Sequence, residues 1–286
     1  MTWFEEVLHN AVGNRGYMQR IEVTRWIARH KSDFQDIAIF ESKHFGRVLT
    51  LDGIVQTTEA DEPAYHEMLV HVPLLAHGNV RRVMIVGGGD GGILREVLRH
   101  PKIEHVREVE IDGDVVSLCR EHMPALSAGA YDDPRAELII GDGLKVMAEM
   151  EDTYDVIIVD STDPVSVGEV LFTQKFYDDC HAHLTPGGIL TTQSGVPFMQ
   201  SQELIDTHKR LETAFGDAAA YLTVVPTYIG GYMALGWGSD EPGHRDVPLS
   251  ILQERYVAAG LKTRYYSPEI HVGAFVLPPY IAEKFN

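Results

Sequence analysis

The sequence is short of positive charge. Its 286 residues carry 24 Lys and Arg against 42 Asp and Glu, a formal net charge of −18 at pH 7. A field of that sign repels polyanions, which argues against nucleic acid or an anionic membrane as a partner. Cysteine is scarce as well. Cys119 and Cys180 lie far apart and form no CxxC pair, so neither a disulfide framework nor a cysteine metal site is expected, and the cytoplasm is the natural compartment. No basic stretch leads into an apolar one at the N-terminus, so no signal peptide is read there. No apolar run approaches the ~20 residues of a membrane-spanning helix. Repeats and low-complexity tracts are missing too. The histidines His9, His100, His181 and His183 show no ligand spacing, and no metal is expected.

What is present is an ordered alternation. Residues 1 to about 60 read as a small antiparallel β domain. The apolar runs at 37–40, 48–51 and 54–57 carry it, with Asp52-Gly53 as a two-residue hairpin turn. From Asp61 to Leu75, Tyr65, Met68, Leu69 and Val72 recur at helical spacing. Strands then alternate with helices: strands at 83–86, 106–111, 138–140, 156–159 and 188–193, helices at 93–98, 115–122, 144–150, 176–184 and 202–215. Two more strand-like runs lie at 221–226 and 231–237. This alternation argues for a doubly wound, mostly parallel, Rossmann-like sheet over residues 61–286.

In such a sheet ligands bind beyond the carboxyl ends of the strands, so the residues just after each strand are the informative ones. The first strand runs into Gly87-Gly88-Gly89-Asp90-Gly91-Gly92, where missing side chains let the backbone turn tightly against a ligand. The second ends in Val109-Glu110-Ile111-Asp112. An acidic residue about 20 positions after the glycines suits a ribose hydroxyl. Together they point to an adenosine-containing ligand. Asp90 narrows the choice, because its charge would oppose a pyrophosphate or the carboxylate of S-adenosylmethionine but would attract an ammonium. It also suits the N-terminus of a helix. The third strand ends in Gly141-Asp142-Gly143 and the fourth in Asp160-Ser161-Thr162-Asp163-Pro164. With Asp90 and Tyr65-His66-Glu67 the last of these makes an acidic pocket fit for a polycation. A primary amine, with a pKa near 10, must lose a proton before it attacks, and a nearby carboxylate could take it.

These motifs, in this order, resemble the spermidine synthase family. Pro226-Thr227-Tyr228 and the stretch from Leu51 to Glu59 add to the likeness, which runs from about residue 20 to residue 280. The resemblance implies transfer of an aminopropyl group from decarboxylated S-adenosylmethionine, as co-substrate, to putrescine, with spermidine and 5′-methylthioadenosine as products and no metal. Carried over by position, Asp160 matches the proton acceptor, with Tyr65 and Asp163 beside it as catalytic residues. Asp90 and Asp163 match the residues that hold the donor and acceptor amines. Glu110 matches the ribose ligand, Asp142 and Gly143 the adenine site, and Gln35 a residue reaching the nucleoside from the small sheet. Tyr65, His66 and Tyr228 match the diamine channel, and Ser161 and Thr162 the loop beside the acceptor. One stretch departs from the family. Val165-Ser166-Val167-Gly168 replaces a stiff Gly-Pro loop, and Val167 keeps an apolar contact with the nucleoside while losing the fixed φ of proline. The resemblance also implies a homodimer or homotetramer. Other acceptors (cadaverine, agmatine, spermidine), a methyltransferase acting on ordinary S-adenosylmethionine, and a nucleoside-binding protein without catalysis are the alternatives.

Overall fold

The computed structural model describes residues 2–7, 17–161, 171 and 173–285. The N-terminal part forms two antiparallel sheets where the sequence suggested one. A ribbon of β1 (Thr2–Glu5) and β2 (Arg20–Val23) stands beside a meander of β3 (Arg25–Lys31), β4 (Asp36–Ser42), β5 (Gly46–Leu51) and β6 (Ile54–Thr58). At the β5–β6 turn both Asp52 and Gly53 have positive φ, 49° and 78°, the mirror-image turn whose twist matches a hairpin. The meander is buried on both faces. Ile37, Ile39, Leu49 and Leu51 pack on helices of the larger part, while Phe40, Val48 and Val55 pack on Phe4 and Ile21 of the ribbon.

Helix α1 (Glu62–His77) follows. It starts with Pro63 in its first turn, where a missing N–H costs nothing, and stops at Gly78, which has φ 77°. The helical spacing of its apolar residues suggests one buried face, yet every residue from Glu62 to Ala76 is buried. Its polar groups therefore need partners within the protein. Glu67 takes the backbone N–H groups of Arg264, Tyr265 and Tyr266 at 2.8 Å each. Pro73 withholds the N–H that Leu69 would otherwise receive, and Thr191 Oγ1 reaches the Leu69 carbonyl instead, at 3.4 Å.

The chain then alternates: β7 (Arg82–Gly87), α2 (Gly92–Leu98), β8 (His105–Glu110), α3 (Gly113–His122), α4 (Pro124–Ser127), β9 (Ala136–Ile140), α5 (Gly143–Glu149), β10 (Tyr154–Asp160), α6 (Gln174–Ala182), β11 (Leu184–Gln193), α7 (Ser201–Ala214), β12 (Asp217–Val224) and β13 (Tyr232–Ser239). Helices α8 (Leu249–Ala258), α9 (Pro268–Ala274) and α10 (Pro279–Ala282), which the apolar pattern had not revealed, close the fold. The strands form one seven-stranded sheet in the order β12-β13-β11-β10-β7-β8-β9. β9, β8, β7, β10 and β11 run parallel, and β13 lies antiparallel to both β11 and β12. The fold is thus the Rossmann-like α/β sheet with a small antiparallel β part before it.

Helices cover both faces of the sheet, so its central strands are apolar throughout. Val83 and Ile85 face the core built on α1 and α2, and Met84 and Val86 face the one built on α5, α6 and α7. β11 starts at Leu184, ahead of the expected Gly188. Its pairing slips from Tyr154↔Leu184 to Val156↔Ile189, because Pro186 has no N–H to give and the following glycines let the chain bulge. The strand order reverses between β7 and β10, which opens a crevice at their carboxyl ends.

Candidate active site

A cavity of about 810 Å³ occupies that crevice. One wall is the carboxyl edge of β7, β8 and β10, and the other is the N-terminal meander, through Gln35, Leu49, Leu51 and Val55. The register sets Asp160, the last residue of β10, beside Gly87 at the end of β7.

Asp160 receives a hydrogen bond from the Tyr65 hydroxyl, Oδ1 to Oη 2.6 Å. Burial, then the nearby Asp90 charge, pushes its carboxyl up to about 6 from 3.8, against the opposing pull of His66 and of the Tyr65 bond. The same burial and the Asp160 charge drive the Tyr65 phenol well above its ordinary 10, so Tyr65 stays neutral and donates.

Asp90 has two partners. Its Oδ1 accepts the Gly92 N–H at 2.7 Å, tying the glycine turn to the start of α2, and its Oδ2 lies 3.4 Å from His66 Nε2. His66 Nδ1 lies 2.7 Å from Glu62, and Arg95 reaches the same Glu62 oxygen at 2.8 Å. Burial alone would lower the His66 pKa, but the Asp90 and Glu62 carboxylates on either side more than offset this and hold it well above 6.5. His66 is an imidazolium, and a buried line of alternating charge runs Arg95, Glu62, His66, Asp90. Asp90 thus has a cationic partner within the protein itself, and its bond to the Gly92 N–H is the helix-start contact that its position suggested. Only glycine at position 92 lets the His66 ring lie so close: a Cβ there would come within 2.2 Å of Cε1.

Glu110 closes the cavity on the side of β8. Its Oε2 accepts the Gly89 N–H at 3.2 Å and its Oε1 the Asp112 N–H at 2.8 Å. Burial, aided by the Asp112 and Asp160 charges, lifts its carboxyl to about 7. Gln35 crosses from the meander and donates to Asp112 Oδ2 at 2.9 Å, while Asp112 Oδ1 accepts the Asp114 N–H at the start of α3. Asp142 plays the same part for α5 through the Leu144 N–H at 3.0 Å, and Gly143 opens that helix. Ser161 lines the cavity. Tyr228 donates to the Gln56 carbonyl at 2.6 Å, and its ring meets Tyr65 edge-on, centroids 5.8 Å apart. Thr162, Asp163 and Val167, with the rest of the Val165–Gly168 stretch, lie outside the described residues.

Three residues behind the site escaped the sequence reading. Glu62 and Arg95 support His66, and the i, i+4 spacing of Glu62 and His66 was the available signal. Asp61 holds the loop carrying Tyr228: it accepts from the Thr227 N–H at 2.9 Å, the Thr227 hydroxyl at 2.8 Å and the Thr58 hydroxyl at 2.6 Å. No sequence pattern announces a contact between those segments.

Comparison with known proteins settles the family. The family model for the spermine/spermidine synthase domain matches residues 62–247, and that for the spermidine synthase tetramerisation domain matches residues 2–59. The chain belongs to the spermine/spermidine synthase family. It is 52% identical to a polyamine aminopropyltransferase of Ruegeria sp. over 99% of this chain and 98% of that one. Against polyamine aminopropyltransferase 1 of Pseudomonas aeruginosa it is 50% identical over 99% and 97% of the two chains. Among solved structures, a spermidine synthase in complex with the transition state analogue AdoDATO superposes with a TM-score of 0.93 at 35% identity, over 99% of this chain and 94% of that one. The spermidine synthase from Thermotoga maritima gives 0.91 at 35% identity, over 100% and 94%. The chain is therefore an aminopropyltransferase, and among the readings that the Gly-rich loop left open this decides against methyl transfer. In this aminopropyltransferase Asp90, Glu110 and Asp160 meet in one buried cavity, an environment that disfavours anions and welcomes cations.

Proposed function

We propose that this aminopropyltransferase is a spermidine synthase with Asp160 as its base. The observation that carries the reading is the Asp160 carboxyl: buried at the β7–β10 crevice, bonded by Tyr65 and raised to about 6. The donor is decarboxylated S-adenosylmethionine and the acceptor putrescine. The acceptor nitrogen attacks the carbon next to the sulfonium. The new N–C bond forms as the C–S bond breaks, its electron pair stays on sulfur, and methylthioadenosine leaves neutral. The proton of the attacking nitrogen passes to Asp160. Positive sulfur is already a good leaving group, so the protein orients the amine and accepts a proton. A base at about 6 stands roughly two units nearer the amine than an ordinary aspartate, which makes the transfer easier by about 3 kcal/mol.

Other roles follow from position. Glu110 takes the ribose hydroxyls, Asp142 and Gly143 the adenine, and Gln35 braces the nucleoside wall through Asp112. Asp90 takes the donor's ammonium, with His66 as its counter-charge. Tyr65 and Tyr228 line the passage for the acceptor's methylenes, and Asp163 takes the acceptor's distal amine by its position in the motif. A homodimer or homotetramer assembled through the N-terminal sheets is supported by the match of residues 2–59 to a tetramerisation domain. Two free, buried cysteines suit a reducing compartment such as the cytoplasm.

The test is direct. The protein is mixed with putrescine and either decarboxylated or ordinary S-adenosylmethionine, and nucleoside and amine products are quantified. Equal amounts of methylthioadenosine and spermidine with the decarboxylated donor only are expected. Turnover with cadaverine but not putrescine would reject the acceptor.

A further inference from the structure

The turn that carries Asp90 is held from outside by groups that the reaction does not use. Tyr131 sits in a short 3₁₀ turn, Ala130–Asp132, 42 residues beyond Gly89. Its hydroxyl is 3.2 Å from the Gly89 carbonyl and 2.8 Å from Glu108 Oε1. The Gly89 carbonyl belongs to the peptide leading into Asp90, so fixing that plane fixes where Asp90 begins. The N–H of Gly89 is already taken by Glu110. The Tyr131 ring presses on the same turn: a Cβ on Gly91 would come within 2.8 Å of its Cε2. Glu110 thus holds the turn at one end and Tyr131 at the other.

One O–H cannot serve two acceptors well. Glu108 is wholly buried, and its Oε2 has no hydrogen-bond partner among the described residues. A buried carboxylate so poorly matched is costly, and the group keeps its proton instead. Burial first, and then the charges of Glu110, Asp90 and Asp160, push it well above the usual carboxylate range, against the pull of the Tyr131 bond. From α3, Cys119 adds a small electrostatic influence on Tyr131, and the Arg120 guanidinium stands 5.4 Å from its ring centre. As a neutral acid, Glu108 donates to the Tyr131 oxygen and leaves the phenolic proton free for Gly89.

We propose that Glu108 and Tyr131 are positioning residues for the donor subsite: Glu108 donates to Tyr131, Tyr131 donates to Gly89, and the Gly89–Asp90 peptide is held so that Asp90 faces the donor's amine. The relay rests on the assignment of Asp90 to that amine. Neither residue touches substrate; both act through Asp90.

Tyr131→Phe keeps the ring and removes one ordinary hydrogen bond. It should raise KM for decarboxylated S-adenosylmethionine by about fivefold to tenfold, with kcat and the putrescine KM within about twofold of wild type. Methylthioadenosine, which has no amine for Asp90 to hold, should lose less affinity than the donor in calorimetric titration. Plain loosening of the fold would weaken both alike. Glu108→Gln keeps a neutral donor and should leave the donor KM within about twofold. The double variant should be no worse than Tyr131→Phe alone, because both changes act on one chain of bonds. An unchanged donor KM in Tyr131→Phe overturns the relay, as does a joint decline of kcat, both KM values and melting temperature. A rise in Glu108→Gln equal to that in Tyr131→Phe would mean that Glu108 acts as a charged acceptor and not as a neutral donor, and overturns the direction of the relay. A wild-type protein that does not bind the donor would reject the substrate assignment itself, not the relay.

Discussion

Asp160, the proposed base, would tie catalysis to stability with opposite signs. Its carboxyl titrates at about 6 in the folded chain against 3.8 unfolded. A raised pKa means that the folded protein binds the proton more tightly, so the group costs nothing below about 3.8 and its cost is complete once pH has risen through about 6. At 1.36 kcal/mol per pH unit the cost is about 1.5 kcal/mol at pH 5 and about 3 kcal/mol at pH 8. Asp160→Asn removes the ionisation and keeps an oxygen for the Tyr65 hydroxyl. The variant should therefore gain about 1.5 kcal/mol more over wild type at pH 8 than at pH 5. With an unfolding entropy of about 2.1 cal/mol/K per residue, that widens the melting-temperature gap by roughly 2–3 °C. Thermal scans and urea titrations of both proteins at the two pH values measure it. The same variant should lose about 10²–10⁴-fold in kcat, the usual contribution of a general base, while binding methylthioadenosine within a few-fold of wild type. A stability gap that is flat or shrinks toward pH 8 refutes the buried ionisation. Turnover within tenfold of wild type refutes the base.

Three further outcomes are expected. In wild type, log kcat/KM should bend downward near pH 6 as Asp160 takes up its proton, with Glu110, at about 7, steepening the fall; a profile flat to pH 5 would contradict both placements. His66→Ala leaves Asp90 and Glu62 without their shared cation and should cost about 3 kcal/mol in urea unfolding at pH 7, whereas a loss below about 1 kcal/mol would mean the buried line of charge is not coupled. Gly92→Ala forces the His66 ring away from a Cβ otherwise 2.2 Å from it. It should cost about 1–3 kcal/mol and raise the donor KM, and an unperturbed KM would show that Asp90 does not depend on His66.

Local chemistry made much of this protein legible in one dimension. Continuous apolar runs such as 83–86 and 156–159 mark strands buried on both faces, and Asp52-Gly53 marks a turn, because those signals depend on near neighbours alone. The residues after each strand could be picked out for the same reason, since a parallel sheet delivers all its strand ends to one edge. Asp90, Glu110, Asp142 and Asp160 all lie on that edge, around one cavity. What no local pattern could reveal was pairing between distant segments. The antiparallel insertion of β13 between β11 and β12 depends on which edges remain open after the parallel core has formed. The burial of α1 on every side depends on segments arriving almost 200 residues later, as when Glu67 takes the N–H of Tyr266 in the connection between α8 and α9. Charge states were decided last. In sequence Asp90 is only one acidic residue among glycines, and the fold brings His66 and Glu62 into line with it in a site dry enough for their charges to be felt. The order of motifs identified the chemistry, and the packing of α1 against the glycine turn determined which protons are in place to perform it.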